Sequence, residues 1–396
     1  MFSTLNPYPF WAGSENLWFD FVSDARARAR FEFHLSLAES PVTRRKAESL
    51  LASGAAADVR FYKHFNTSFG QRNLYRLIDR VSRRPHRTLP WYDRIAREDF
   101  DLVWFNVAEL GDLAALQYPV DLCRKKNVPY WLLLQHGFED FFLTSERDIE
   151  TVARVSAGAA RFVFISKRNR RSLERAIGRR LANAFHSANA LPASKIEEAG
   201  RVAENFPAGA SETARFFNLG RFSPVDKAQH VLLEAFAGER WRARDWELSF
   251  IGVADFGRFY LERLIDFYDL PKEKIKIEAH TERVFEAIAG RDVLLMPSRA
   301  EGTPFAMIEA MACGRPALGT PIGGIPELIV ENRTGWLART VDVSDVAEKL
   351  ETIWQERGKW LEFGENARKH VAAEYSEEKS FAELIKLLAA DAGARL

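Results

Sequence analysis

The sequence predicts an α/β protein made of two parallel-sheet units facing each other, and three observations lead there. Short apolar runs rich in Val, Ile, Leu and Phe alternate with longer stretches of helical composition, the habit of strands buried on both faces. That alternation runs through one block, lapses, and then starts again. The chain has 396 residues, 47% of them hydrophobic, which supplies two cores at about 100 to 200 residues per domain.

In the first block, strands are expected at Phe2 to Asn6, Phe31 to Ala38, Val59 to His64, Leu102 to Val107, Tyr130 to His136, Arg161 to Ser166 and Ala184 to Asn189. In the second they are expected at Arg215 to Phe222, Trp246 to Val253, Ile275 to His280, Val293 to Ser298, Pro316 to Thr320 and Gly335 to Ala338. Leu191 to Thr213 holds Pro192, Gly200, Pro207 and Gly209 without a strand-like run and reads as the linker. Apolar residues three and four apart make Val346 to Ile353 and Phe381 to Leu388 amphipathic helices. The expected division is residues 1–200, 201–375 and a terminal helix in 376–396.

Composition narrows the class further. A chain that is 28% charged and 12% aromatic with this apolar content is neither disordered nor fibrous. Its two cysteines, Cys123 and Cys313, form neither a disulfide framework nor a metal-ligand pattern. No run approaches the ~18 apolar residues of a membrane span, and Met1 to Asn6 lacks a secretory start, so a soluble cytoplasmic protein is expected. The net charge of +1 conceals a split, since residues 1–190 carry 29 basic and 21 acidic side chains and the remainder carries 27 and 34.

The densest chemical signal runs from Pro297 to Pro316. A buried strand ends at Ser298, Gly302 permits a tight turn, and Thr303 and Pro304 suit the N-cap and first position of a helix. Backbone amides around Gly302, Thr303, Pro304, Phe305 and Ala306 then form a positive helix end suited to phosphate. Glu301 lies at the mouth of that helix, and Glu309 about a turn and a half along it. In these places Glu301 could accept from a sugar hydroxyl and Glu309 from a ribose diol; the alternative is that Glu301 simply interacts with the helix dipole and Glu309 is an ordinary solvated helical carboxylate.

A second cluster is Asn218-Leu219-Gly220-Arg221-Phe222-Ser223-Pro224-Val225-Asp226-Lys227. Arg221, a planar fork, and Lys227, a compact point charge, are spaced across one loop so that both reach a single diphosphate.

Glu301 and Glu309 have the Glu-x7-Glu spacing of glycosyltransferase family 4, and the chain resembles that family from about Phe216 to Leu337. The likeness continues through Gly323-Gly324-Ile325-Pro326-Glu327-Leu328-Ile329 and Thr334-Gly335-Trp336-Leu337, and through the Gly220-Arg221 loop with its downstream Lys227. Ala228 departs from it, because a glycine is common there. The resemblance implies a GT-B fold of two Rossmann-like domains, with a last helix, roughly Ser376 to Ala390, crossing back to the first. It also implies transfer of a sugar from a nucleoside diphosphate sugar, UDP- or GDP-linked, with retention of configuration and without metal or other cofactor.

By the same resemblance Glu301 holds the sugar, Glu309 the ribose, and Arg221 and Lys227 the diphosphate. His136, in Gln135-His136-Gly137 after a strand, matches a family histidine near the transferred sugar and completes the expected catalytic set of Glu301, His136, Arg221 and Lys227. Gly13, in the loop Asn6 to Leu17, resembles the family's first glycine turn; a plain helix start capped by Ser14 explains it nearly as well. His280 and Thr281 follow a strand where the family approaches the nucleotide, and ordinary turn chemistry accounts for them equally.

Three other readings are set beside this one. Asp99-Phe100-Asp101 resembles the metal-binding Asp-x-Asp of the GT-A fold, but it precedes a strand instead of following one. A nucleotide-sugar epimerase would need further carboxylates at the sugar position, and a silent subunit would bind donor without turnover. Lys167, Arg168, Arg170, Arg171, Arg175, Arg179 and Arg180, with Arg44, Arg45, Lys46, Arg83, Arg84 and Arg87, suit either a solvated helix face or peripheral contact with an anionic membrane. No nucleic-acid module accompanies them. The acceptor is expected to be a glycan or lipid-linked glycan in cell-surface polysaccharide synthesis.

Overall fold

The structure, a computed structural model, describes residues 2–4, 15–62, 92–108, 110–137, 141–253 and 257–393. Gly13 and Ser14, and with them the first-loop expectation, lie outside the described residues, as do Arg83, Arg84 and Arg87.

Seven strands build the first sheet: β1 (Phe2–Thr4), β2 (His34–Ala38), β3 (Asp58–Tyr62), β4 (Val103–Val107), β5 (Tyr130–Leu134), β6 (Arg161–Phe164) and β7 (Ala184–His186). Their order is β3-β2-β1-β4-β5-β6-β7, with parallel pairings. Six build the second: β8 (Ala214–Leu219), β9 (Trp246–Gly252), β10 (Ile275–Ala279), β11 (Val293–Met296), β12 (Ala317–Gly319) and β13 (Gly335–Leu337). Their order is β10-β9-β8-β11-β12-β13, again parallel. Each expected strand is present, most of them shorter at the ends.

The burial explains why these runs are strands. All five residues of β4 and of β5 are buried, so neither strand can spare a polar face. On one side of the first sheet Phe105, Leu132, Leu134, Phe162 and Phe164 pack with Val152, Val155 and Leu173 from covering helices. On the other, Trp104, Trp131 and Leu133 meet Trp18 and Phe21 together with Phe381, Leu384 and Leu388. The last three belong to the terminal helix Glu377–Asp391, which therefore lies on the first domain's core. Phe381 meets Phe21 edge-on at 5.4 Å, and Asp391 accepts hydrogen bonds from Trp131 Nε1 at 3.0 Å and Arg161 Nε at 2.9 Å.

Leu191 to Thr213, read as the linker, holds a helix, Ala193–Asn205, and no strand. Pro192 is not a break there but the N-cap residue of that helix. Ala199 is fully buried, with Ile196 and Val202 packed against the same second-domain core as Phe217, Met307 and Met311. The chain crosses between domains twice, side by side: Leu191 N donates to Tyr375 O at 2.9 Å and Glu377 N to Leu191 O at 3.0 Å.

Candidate functional site

In an open parallel sheet, ligands sit beyond the carboxyl ends of the strands where the order of connection reverses. In the second sheet that reversal lies between β8 and β11, and both basic and acidic motifs leave from those two strands. The loop after β8 is held in shape by its own polar groups. Gln229 Nε2 donates to Arg221 O at 2.6 Å, and Ser223 Oγ donates to Asp226 Oδ1 at 2.6 Å. Lys227 N and Ala228 N both reach the Ser223 carbonyl. Ala228 sits at φ 49°, in the left-handed region that favours glycine, which is the physical sense of the departure seen in the sequence.

The two loops are stitched together. The Asp226 carbonyl accepts Arg299 N at 2.7 Å and Ala300 N at 3.3 Å. Lys227 Nζ lies 2.7 Å from Glu301 Oε1, and Ser298 Oγ donates to the same oxygen at 2.7 Å. Arg221 pairs with Asp226 at 2.8 Å. Glu301 is buried, so its charge is compensated by the lysine and the hydroxyl.

After Glu301 the helix Phe305–Ala312 begins, with a changed cap. Pro304, not Thr303, is its N-cap, and Pro304 O accepts Met307 N and Ile308 N, leaving the Phe305 and Ala306 amides at the open end. The Thr303 hydroxyl does not cap the helix because it donates to the Ile165 carbonyl of the first domain. Asn189 Nδ2 donates to Thr303 O at 2.7 Å from the same side. Gly302 allows this approach: a Cβ there would stand 2.1 Å from Gln135 O and 2.2 Å from Ile165 Cδ1. Gly323, at φ +53°, does likewise on the other flank, where a Cβ would stand 2.3 Å from Glu301 O.

Glu309 is partly buried on the same helix. Burial pushes its carboxyl up to about 7, against the opposing charge of Lys195. His136 lies partly buried beyond β5, two residues past its last strand position. His280 is exposed after β10, and Thr281 Oγ1 accepts Arg283 N at 3.0 Å, a local turn. Thus the structure brings Gly220, Arg221 and Lys227 together with Glu301, whereas for His280 and Thr281 it shows turn contacts only.

Several residues around the site had no role in the sequence reading. Ser298 stands three before Glu301 and Ser223 three before Asp226, a spacing that marks local side-chain pairing. Asn189 and Glu327 had no such signal, because their partners are far off in the chain. Asp99 and Asp101 stand at the amino end of β4, away from the carboxyl-end cleft, and the Asp99 side chain is exposed and paired with Lys126 at 2.8 Å. Among the described residues no group of three or more His, Cys, Asp or Glu side chains is arranged to hold a metal ion. In the basic helix Lys167–Ala176, Arg170 and, beyond it, Arg180 pair with buried Glu174 at 2.9 and 2.8 Å, and Arg179 pairs with Glu150 at 2.7 Å.

Two parallel-sheet domains closing on a cleft, with the chain crossing back at its end, define the GT-B architecture. Comparison with solved structures agrees: UDP-bound Alr3699/HepE of Anabaena superposes with a TM-score of 0.71 at 17% identity, covering 98% of this chain and 99% of that one. Sucrose-phosphate synthase of Thermosynechococcus elongatus superposes at 0.72 and 16%, covering 98% of both chains.

By sequence, residues 213–356 match the family described as glycosyl transferases group 1. Among curated relatives, N-acetyl-alpha-D-glucosaminyl L-malate synthase of Bacillus anthracis is 32% identical over 108 residues, 27% of this chain and 28% of that protein. The putative colanic acid biosynthesis glycosyltransferase WcaL of Escherichia coli is 28% identical over 173 residues, 41% of this chain and 42% of that protein. The chain thus spans less than half the length of these curated relatives.

Proposed function

We propose that the protein is a glycosyltransferase that moves a sugar from a UDP- or GDP-sugar to a glycan or lipid-linked glycan acceptor, retaining the anomeric configuration and using no metal or other cofactor. The observation that carries this reading is the Lys227–Glu301 pair at 2.7 Å, formed by loops from β8 and β11 beside the open amides of Phe305 and Ala306. As the sugar leaves, negative charge grows on the diphosphate. Arg221, Lys227 and the amide end would meet it with donors already fixed in place, which stabilise developing charge better than water does. Glu301 would accept from sugar hydroxyls, Glu309 from the ribose, and His136 would face the sugar from the first domain.

The bound UDP of Alr3699/HepE supports the nucleotide class, and the naming of WcaL supports a polysaccharide setting. No described helix is long and apolar enough to cross a membrane. In this reading any membrane contact is peripheral, through exposed arginines such as Arg171 and Arg175 of the net-positive first domain.

The reading is tested with a panel of nucleoside diphosphates and their sugars. Thermal stabilisation identifies the donor, since a ligand at 100 times its Kd adds about 2.7 kcal/mol. Slow release of nucleotide from that donor, abolished by Glu301→Ala and by Lys227→Ala, supports transfer; binding without any turnover contradicts it.

A further inference from the structure

Glu327 spans the two domains. It lies in the short helix Ile325–Leu328 after β12, in the segment that begins with Gly323 and Gly324. Its Oε1 accepts the backbone N–H of Lys167 at 2.8 Å, the first residue of the first-domain helix Lys167–Ala176. Its Oε2 is 3.3 Å from His186 Nε2, at the end of β7. Its carbonyl accepts the Tyr375 hydroxyl at 2.7 Å, next to where the chain crosses back. Glu327 is thus in contact with the start of a first-domain helix, the end of a first-domain strand and the crossover segment.

The same turn holds the sugar-side loop. Gly324 N donates to Gly302 O at 2.5 Å, Glu327 N donates to Gly324 O at 3.0 Å, and Gly323 lies directly on the Glu301 carbonyl. A carboxylate at a helix N-terminus meets unpaired N–H groups and the positive end of the helix dipole. Here the carboxylate comes from the opposite domain, so the interaction exists only when the domains are closed.

We propose that Glu327 is a positioning residue: by accepting the first N–H of the Lys167 helix, beside its N-cap Ser166, it locks the domains together and seats the Glu301–Thr303 loop against Gln135 and Ile165. Its effect on turnover rests on the transferase reading, but its effect on domain closure does not. Glu327 touches neither donor nor acceptor in this account. Its removal therefore leaves nucleotide affinity intact and lowers the rate of the step that needs both domains.

The test uses the full chain. In Glu327→Ala, turnover falls about 10²-fold, the cost of a small misplacement of reacting groups, while the Kd for nucleoside diphosphate changes by less than about twofold. Small-angle scattering shows a larger radius of gyration than wild type. A second variant attacks the other partner: Lys167→Pro deletes the accepted N–H at a first helical position, where proline is well tolerated. It is expected to open the protein as Glu327→Ala does, whereas Lys167→Ala, which keeps the N–H, stays closed.

Unchanged scattering in both Glu327→Ala and Lys167→Pro would overturn the proposal, as would a nucleotide Kd that weakens in step with turnover. If wild type turns over no nucleotide sugar, the transferase reading fails, and the scattering comparison still decides the tether.

Discussion

Lys227 Nζ and Glu301 Oε1 meet at 2.7 Å across 74 positions of sequence, joining the loops that leave β8 and β11. Both side chains are largely enclosed, so neither ion is compensated by bulk water. Removing Lys227 alone leaves a buried carboxylate unpaired, which costs about 3–5 kcal/mol in fully buried pairs and less here, where the lysine keeps some exposure. Lys227→Ala is therefore expected to lower the Tm more than the double variant Lys227→Ala with Glu301→Gln. Either single variant should lose about 10²–10³ in kcat, read by nucleotide release.

Gly302 lies where the second domain packs against Gln135 and Ile165 of the first. Ala in its place puts a methyl 2.1 Å from the Gln135 carbonyl, which cannot yield without the domains separating. Gly302→Ala should lose most of its turnover, measured by steady-state kinetics of nucleotide release. Gly323→Ala instead strains its own domain, through a positive φ and a contact with Glu301 O, and is expected to cost about 1–3 kcal/mol in denaturant unfolding.

The Glu309 carboxyl has its folded pKa raised by burial to about 7 from 4.5. Between those values the folded protein holds a proton that the unfolded chain has released. Its stabilising contribution is thus complete below the lower value and is lost as pH rises through the higher one. That loss amounts to no more than about 3 kcal/mol. Urea midpoints followed from pH 4.5 to 8 should fall less steeply in Glu309→Gln than in wild type.

The terminal helix is bound to the first domain by Phe381, fully buried against Phe21, and by Asp391 between Trp131 and Arg161. Phe381→Ala should cost about 3–5 kcal/mol, seen as a lower Tm. Because Asp99 and Asp101 lie at the amino end of β4, Asp99→Asn with Asp101→Asn, or addition of a chelator, should leave nucleotide release unchanged.

Much of this was legible in the sequence because buried parallel strands announce themselves as apolar runs, as at β4 and β5. The Glu301 and Lys227 motifs were legible for a related reason, since local spacing places both just beyond a strand. What was not legible depended on distant partners. Thr303 reads locally as a cap, yet its hydroxyl goes to Ile165 in the other domain. The Ala193–Asn205 helix was hidden by Pro192 and Gly200, although Ile196, Ala199 and Val202 already form its buried face. Glu327 stood out only as a member of the Gly323 to Ile329 segment, and it is the fold that brings it to Lys167, 160 residues away.

The most direct measurement is a calorimetric titration of wild type and of Arg221→Ala with Lys227→Ala, using UDP and GDP without added metal. One of the two nucleotides should bind wild type tightly and the double variant at least about a hundredfold more weakly, from the loss of two charge-assisted contacts. Equal affinity in both proteins, or no binding of either nucleotide to wild type, would contradict it.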